Sequence, residues 1–94
     1  MKKVLITGAN KGIGLELARQ LVQQGYYVYM GSRDLANGLN AVQKLKKEGL
    51  ENVEAIQLDV TSQESVAAAR AELGKRTAVL DILINNAGIN GIVF

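Results

Sequence analysis

Ninety-four residues are enough for one small domain and not for two, so residues 1–94 are read as a single unit. Hydrophobic residues make up 48% and charged residues 21%, a globular composition, and eleven Lys+Arg against nine Asp+Glu leave a net +2, too small an excess to imply nucleic acid without a clustered patch. With no Cys and no His, disulfide frameworks, thiolate zinc sites, cysteine nucleophiles, Ser-His-Asp triads and HExxH metal sites are all excluded.

Residues 4–7 form a short apolar, β-branched run ended by Gly8, the pattern of a strand buried on both faces. Residues 12–24 follow as a helix, with Ile13, Leu17 and Leu21 at helical spacing beside Ala18 and Val22, and Gly25 as the stop. A second buried strand is expected over residues 26–30. A second helix is expected over residues 34–48, with Leu35, Leu39, Val42 and Leu45 on its inner face and Gly49 as the stop. Gly38 inside that helix costs about 1 kcal/mol relative to Ala. Residues 53–58 read as a third strand, made more polar by Glu54 and Gln57. Thr61 and Glu64 have capping-box spacing at the start of a third helix, which turns Val66, Ala69 and Leu73 inward and ends near Leu73 or Arg76. Residues 79–84 are the fourth strand, ended by Asn85-Asn86-Ala87-Gly88.

This βαβαβαβ alternation implies a parallel sheet with right-handed crossovers. The apolar stretch after Met1-Lys2-Lys3 is too short for a signal peptide. No apolar run approaches the roughly 18 residues of a membrane span. The absence of Cys fits a reducing compartment. The expectation is a cytoplasmic protein without membrane, nucleic-acid or metal partners.

The first strand runs straight into Thr7-Gly8-Ala9-Asn10-Lys11-Gly12-Ile13-Gly14 and then a helix. Gly8 permits a tight exit from the strand, Gly12 a close approach of a pyrophosphate, and Gly14 close packing of helix on sheet. Free amides and the dipole at the helix start favour an anion. The spacing is GxxxGxG, neither the GxGxxG dinucleotide fingerprint nor a P-loop ending in GK[ST]. A glycine-rich turn without a ligand is the alternative; the position between strand and helix favours binding.

These residues, with Leu58-Asp59-Val60 after strand three and Asn85-Asn86-Ala87-Gly88 after strand four, make the chain resemble the classical short-chain dehydrogenase/reductase family. The resemblance spans the whole chain but only the N-terminal part of the family. It implies the first half of a Rossmann-type, doubly wound α/β fold with strand order 3-2-1-4. It also implies that Gly8, Asn10, Lys11, Gly12, Ile13 and Gly14 contact a dinucleotide. On the same resemblance Asp59 meets the adenine amino group, Val60 meets the ring, and Asn86, Ala87 and Gly88 line the nicotinamide ribose. Without the resemblance, Asp59 reads as an acid near a helix start, and Asn86-Ala87-Gly88 as an ordinary turn.

In this fold an acid about 20 positions after the glycine motif selects NAD, whereas an Arg accommodates a 2′-phosphate. Here the sequence is Gly31-Ser32-Arg33-Asp34, with no acid at Gly31 or Ser32. Lys11 adds a second cation, so NADP(H) is expected over NAD(H). The alternatives are a solvated Arg33 paired with Asp34 and a loop-tip Lys11.

The family's chemistry, hydride transfer between nicotinamide and an alcohol or carbonyl carbon, uses a Tyr with a Lys four residues later. Here Tyr26 is followed four residues later by Met30, Tyr27 by Gly31 and Tyr29 by Arg33. No catalytic residue is assigned, and the chain alone is expected to be inactive. The reading is the NADP(H)-binding portion of a short-chain dehydrogenase/reductase that reduces carbonyls or oxidises alcohols. The alternative is a non-catalytic dinucleotide-binding or interaction module that self-associates through strand four. That strand, with Leu80, Ile82, Leu83 and Ile84, would lie at a sheet edge, and Ile89, Ile92, Val93 and Phe94 would add apolar surface.

Overall fold

A computed structural model describes residues 1–86. Its elements are β1 (Lys3–Ile6), α1 (Gly12–Gln23), β2 (Tyr27–Ser32), α2 (Leu35–Lys47), β3 (Val53–Gln57), α3 (Gln63–Arg76) and β4 (Ile82–Ile84). The strands pair in parallel in the order β3-β2-β1-β4, as expected, with β1 in register against β2 from Lys3↔Tyr27 and against β4 from Val4↔Ile82.

Alternation along the strands divides the core into two layers. Val4 and Ile6 of β1, Val28 and Met30 of β2, and Val53 and Ala55 of β3 pack on one face with α1 and α2. Leu5, Tyr29 and Ile56 point to the other face, where α3 contributes Val66, Ala69 and Leu73. The sheet is covered on both sides, which is why β1 and β2 read as continuous apolar runs.

The inner face of α2 differs from the expected one. Leu35 is 41% exposed and Leu39 50%, while Gly38, Ala41, Val42 and Leu45 are buried. A Cβ on Gly38 would lie 3.0 Å from the Cβ of Ser32, so this glycine lets α2 settle closely on β2. The residue counted as a propensity cost is thus part of the buried stripe, and Leu39 turns outward. Ile13 is also no core residue, at 80% exposure.

Element boundaries move for local reasons. Tyr26 precedes β2, because its amide donates to Leu21 O at 3.0 Å and closes the end of α1. The N-cap of α3 is Ser62, not Thr61; its hydroxyl accepts from Ser65 N at 3.2 Å, so the expected Thr61–Glu64 capping box does not form. β3 ends at Gln57, with Leu58 just beyond it. β4 begins only at Ile82, because the Asp81 side chain accepts the Lys3 amide at 2.8 Å.

Tyr27 donates to Glu54, which also pairs with Arg76 at 3.1 Å. Burial and then the Glu54 hydrogen bond push the Tyr27 phenol above its ordinary range, and burial does the same to Tyr29. Tyr27 thus ties β2 to β3 and, through Glu54 and Arg76, to α3. Arg76 also donates to Ala55 O at 3.0 Å, placing a charged side chain along the outer edge of β3.

Candidate functional site

The loop from β1 to α1 opens at the C-terminal end of the sheet. There α1 and α2 lie on one face and α3 on the other, the arrangement that leaves a crevice beside the first strand. Gly8 and Gly12 have φ of 62° and 63°, the left-handed region that glycine adopts without strain. A Cβ on Gly12 would meet no atom within 4 Å, so the backbone there faces open space. A Cβ on Gly14 would lie 2.5 Å from Gly8 O and 2.6 Å from Asn86 Nδ2, so α1 rests directly on the loop. The two glycines do different work: one keeps a surface clear, and the other permits packing.

The start of α1 has no side-chain cap and no acid in its first turn. By contrast, Asp34 caps α2 by accepting from Ala36 N at 2.9 Å, and Ser62 caps α3. The free amides of α1 therefore stand at the loop with the positive end of the helix dipole behind them. Asn86 Nδ2 donates to Gly8 O at 3.1 Å, and Thr7 Oγ1 donates to Asn85 Oδ1 at 3.0 Å, so the segment after β4 fixes the loop.

A cavity of about 470 Å³ opens beside the loop. It brings together Gly8, Asn10, Lys11, Gly12, Arg33, Asp59 and Val60 from the sequence-derived set, and adds Leu58 and Thr61. Gly14 and Asn86 support the loop from behind, and Ile13 projects from its exposed side. Ala87 and Gly88 lie outside the described residues. Arg19 pairs with Glu16 and Glu48, and Arg76 with Glu54 and Glu72. Arg33 is not paired with Asp34, whose carboxylate caps α2 instead, and among the described residues neither Arg33 nor Lys11 forms an ion pair.

Asp59 Oδ1 accepts from Thr61 Oγ1 at 2.6 Å and Thr61 N at 3.0 Å. These bonds, and more weakly the charge of Arg33, hold the Asp59 carboxyl below its ordinary range. The hydrogen bonds to the ionised form are present above the ordinary carboxylate pKa and are lost as pH falls through the depressed one.

Asn10 and Lys11 also border a second hollow of about 450 Å³ that reaches Asn37 and Lys44 of α2. Neither residue is among those the sequence pointed to; Lys44 lies in the last turn of α2, where a cation suits the helix dipole. A larger hollow, about 660 Å³, lies between β3 and α3 beside Gln57, Ser65, Ala68 and Arg76, and contains none of the expected site residues.

The chain matches the short chain dehydrogenase family over residues 2–94. It is 48% identical over 91 residues to short-chain dehydrogenase/reductase 1 of Saponaria officinalis, a match covering 95% of this chain and 30% of that protein. Its fold superposes on the menthone neomenthol reductase of Mentha piperita with a TM-score of 0.89 and 42% identity, covering 95% of this chain and 32% of the other. The RhlG/NADP active-site complex of Pseudomonas aeruginosa matches with a TM-score of 0.85 and 32% identity, over 94% and 34% of the two chains. The chain thus spans about a third of the length of these relatives.

Proposed function

We propose that this chain, which belongs to the short-chain dehydrogenase family, supplies the NADP(H)-binding part of an oxidoreductase that interconverts carbonyls and alcohols. The observation that carries the reading is the cavity rim: Lys11 and Arg33, neither in an ion pair among the described residues, flank a glycine loop at the uncapped start of α1. The residues present fit a dinucleotide phosphate. Gly12 leaves the approach clear, the α1 amides donate to a pyrophosphate, and the two cations suit a further phosphate on the ribose. An NADP complex among the structural relatives supports the same assignment. When bound, the nicotinamide supplies or accepts the hydride. The residues of this chain hold and orient the dinucleotide, and the described tyrosines belong to sheet packing rather than to proton transfer.

Titration with NADPH and NADH tests this. The unmodified chain binds NADPH more tightly. Arg33→Ala loses about 1.5–3 kcal/mol of that preference, the contribution of one charged hydrogen bond. Equal affinity of the unmodified chain for the two cofactors would overturn the NADP(H) assignment.

The sheet edges support self-association as part of the same proposal. Among the described residues β4 pairs only with β1, and Leu83 on it is 36% exposed. The β3 edge, by contrast, carries Arg76 on Ala55 O. Light scattering at low micromolar concentration should report dimers or larger species, and a clean monomer would contradict this.

A further inference from the structure

We infer that the second hollow, between the glycine loop and α2, is a separate binding site for a small oxyanion of the oligophosphate class, and that such an ion competes with NADPH through Lys11, which the two cavities share. Asn37, Asn40 and Lys44 line this hollow and not the cavity beside Asp59. They fall at i, i+3 and i+7 of α2, along one stripe of that helix. Lys44 lies about 10 Å along the helix axis from Asn37, so the stripe leads away from Arg33 and the helix start. Ala41, 5% exposed, and Leu15 of α1 supply the apolar part of the wall.

Every polar side chain on that wall can donate, and none is a carboxylate. Lys11 and Lys44 carry three N–H donors each, and Asn10, Asn37 and Asn40 offer carboxamide N–H groups. Among the described residues none of these five side chains makes a hydrogen bond or an ion pair within the chain. Glu48, the acid one turn beyond Lys44, is already engaged, because its two oxygens accept from Arg19 at 2.7 and 3.1 Å. With no aromatic face on the wall, the hollow does not suit a base. Two point charges among neutral amides suit a compact ion of charge two or more. Lys11 cannot serve a phosphate in one cavity and an oxyanion in the other at full strength. The ion therefore lowers the affinity for NADPH, and NADPH lowers that for the ion by the same factor. NADH, with one phosphate fewer, is affected less. The competition rests on the proposed function; the site itself does not.

Inorganic pyrophosphate, titrated into the isotopically labelled chain at low ionic strength, is the probe. Saturable NMR shifts are expected at the side-chain amides of Asn37 and Asn40 and at the Lys44 ammonium. Lys44→Gln, at an exposed position, weakens pyrophosphate binding about three- to fivefold, the worth of one exposed charge pair. Asn40→Asp, which sets a carboxylate in the hollow, weakens it at least as much. Lys46→Gln removes the same charge from the same last turn of α2 but from outside the hollow, and changes the affinity little. Saturating pyrophosphate lowers NADPH affinity about fivefold or more, and NADH affinity less. Shifts confined to the glycine loop, or equal losses in Lys44→Gln and Lys46→Gln, overturn the inference alone. Loss of NADPH affinity in Lys44→Gln with no pyrophosphate present would assign the hollow to the cofactor's own phosphate and overturn a separate site. A chain that binds pyrophosphate at Asn40 and Lys44 but neither dinucleotide overturns the proposed function and leaves this site standing.

Discussion

Gly12→Val is expected to weaken binding of NADPH and NADH alike by about a hundredfold or more, a loss of about 3 kcal/mol or above. A Cβ at this position meets no atom of the chain within 4 Å, so the valine side chain fills the space that a pyrophosphate would take. The backbone there has φ of 63°, and holding a non-glycine residue in that conformation costs about 1–3 kcal/mol. Some stability is therefore lost as well, and a thermal melt of the free variant separates the two effects. Folded variant with unchanged affinity for both cofactors would mean that the loop is a turn and nothing more.

Gly14→Ala acts on the fold first. The added methyl would sit 2.5 Å from Gly8 O, a backbone atom with little freedom to move, and 2.6 Å from Asn86 Nδ2. Either α1 lifts from the loop or the bond from Asn86 to Gly8 O is lost. Overpacking of this kind costs about 1–3 kcal/mol, and each kcal/mol lowers the melting temperature of a domain this size by about 4–8 °C. Alanine is intrinsically the better helix former by about 1 kcal/mol, so the sign of the change is diagnostic. A melting temperature that rises in Gly14→Ala would show that helix and loop are not in the close contact described.

The parts of this molecule legible in the sequence are those fixed by short-range pattern. The strand-helix alternation implies a parallel sheet, and the resemblance carried by the glycine loop and the motifs after strands three and four implies the order β3-β2-β1-β4; both are observed. What was not legible depends on how elements meet. The inner face of α2 follows from the contact between Gly38 and Ser32, which a count of large apolar residues does not register. The N-cap of α3 moved by one residue because Thr61 is engaged with Asp59, leaving Ser62 to accept from Ser65. Leu58 could have been added to the cavity from its place beside Asp59 at the end of β3. Asn37 lies in the first turn of α2 and reaches the loop only through the packing of α2 on the sheet, so its place had no local signal.

Asp34 and Ser62 satisfy the amides at the starts of α2 and α3, whereas α1 begins without such a partner and with Lys11 as its N-cap. A cation at the positive end of a helix dipole is unfavourable for the helix itself. The phosphate of the proposed dinucleotide would offset that cost, and Arg33, just after β2, lines the same cavity.

The central claim is that a dinucleotide occupies the cavity beside the glycine loop. An NMR titration of the isotopically labelled chain with NADPH tests it directly, residue by residue. The account predicts saturable shifts in the amides of Gly8, Lys11, Gly12, Arg33, Val60 and Thr61, with Ser65, Ala68 and Arg76 changing little on the wall of the larger hollow. Shifts concentrated at Ser65, Ala68 and Arg76, or no saturable shift at the glycine loop, would contradict it.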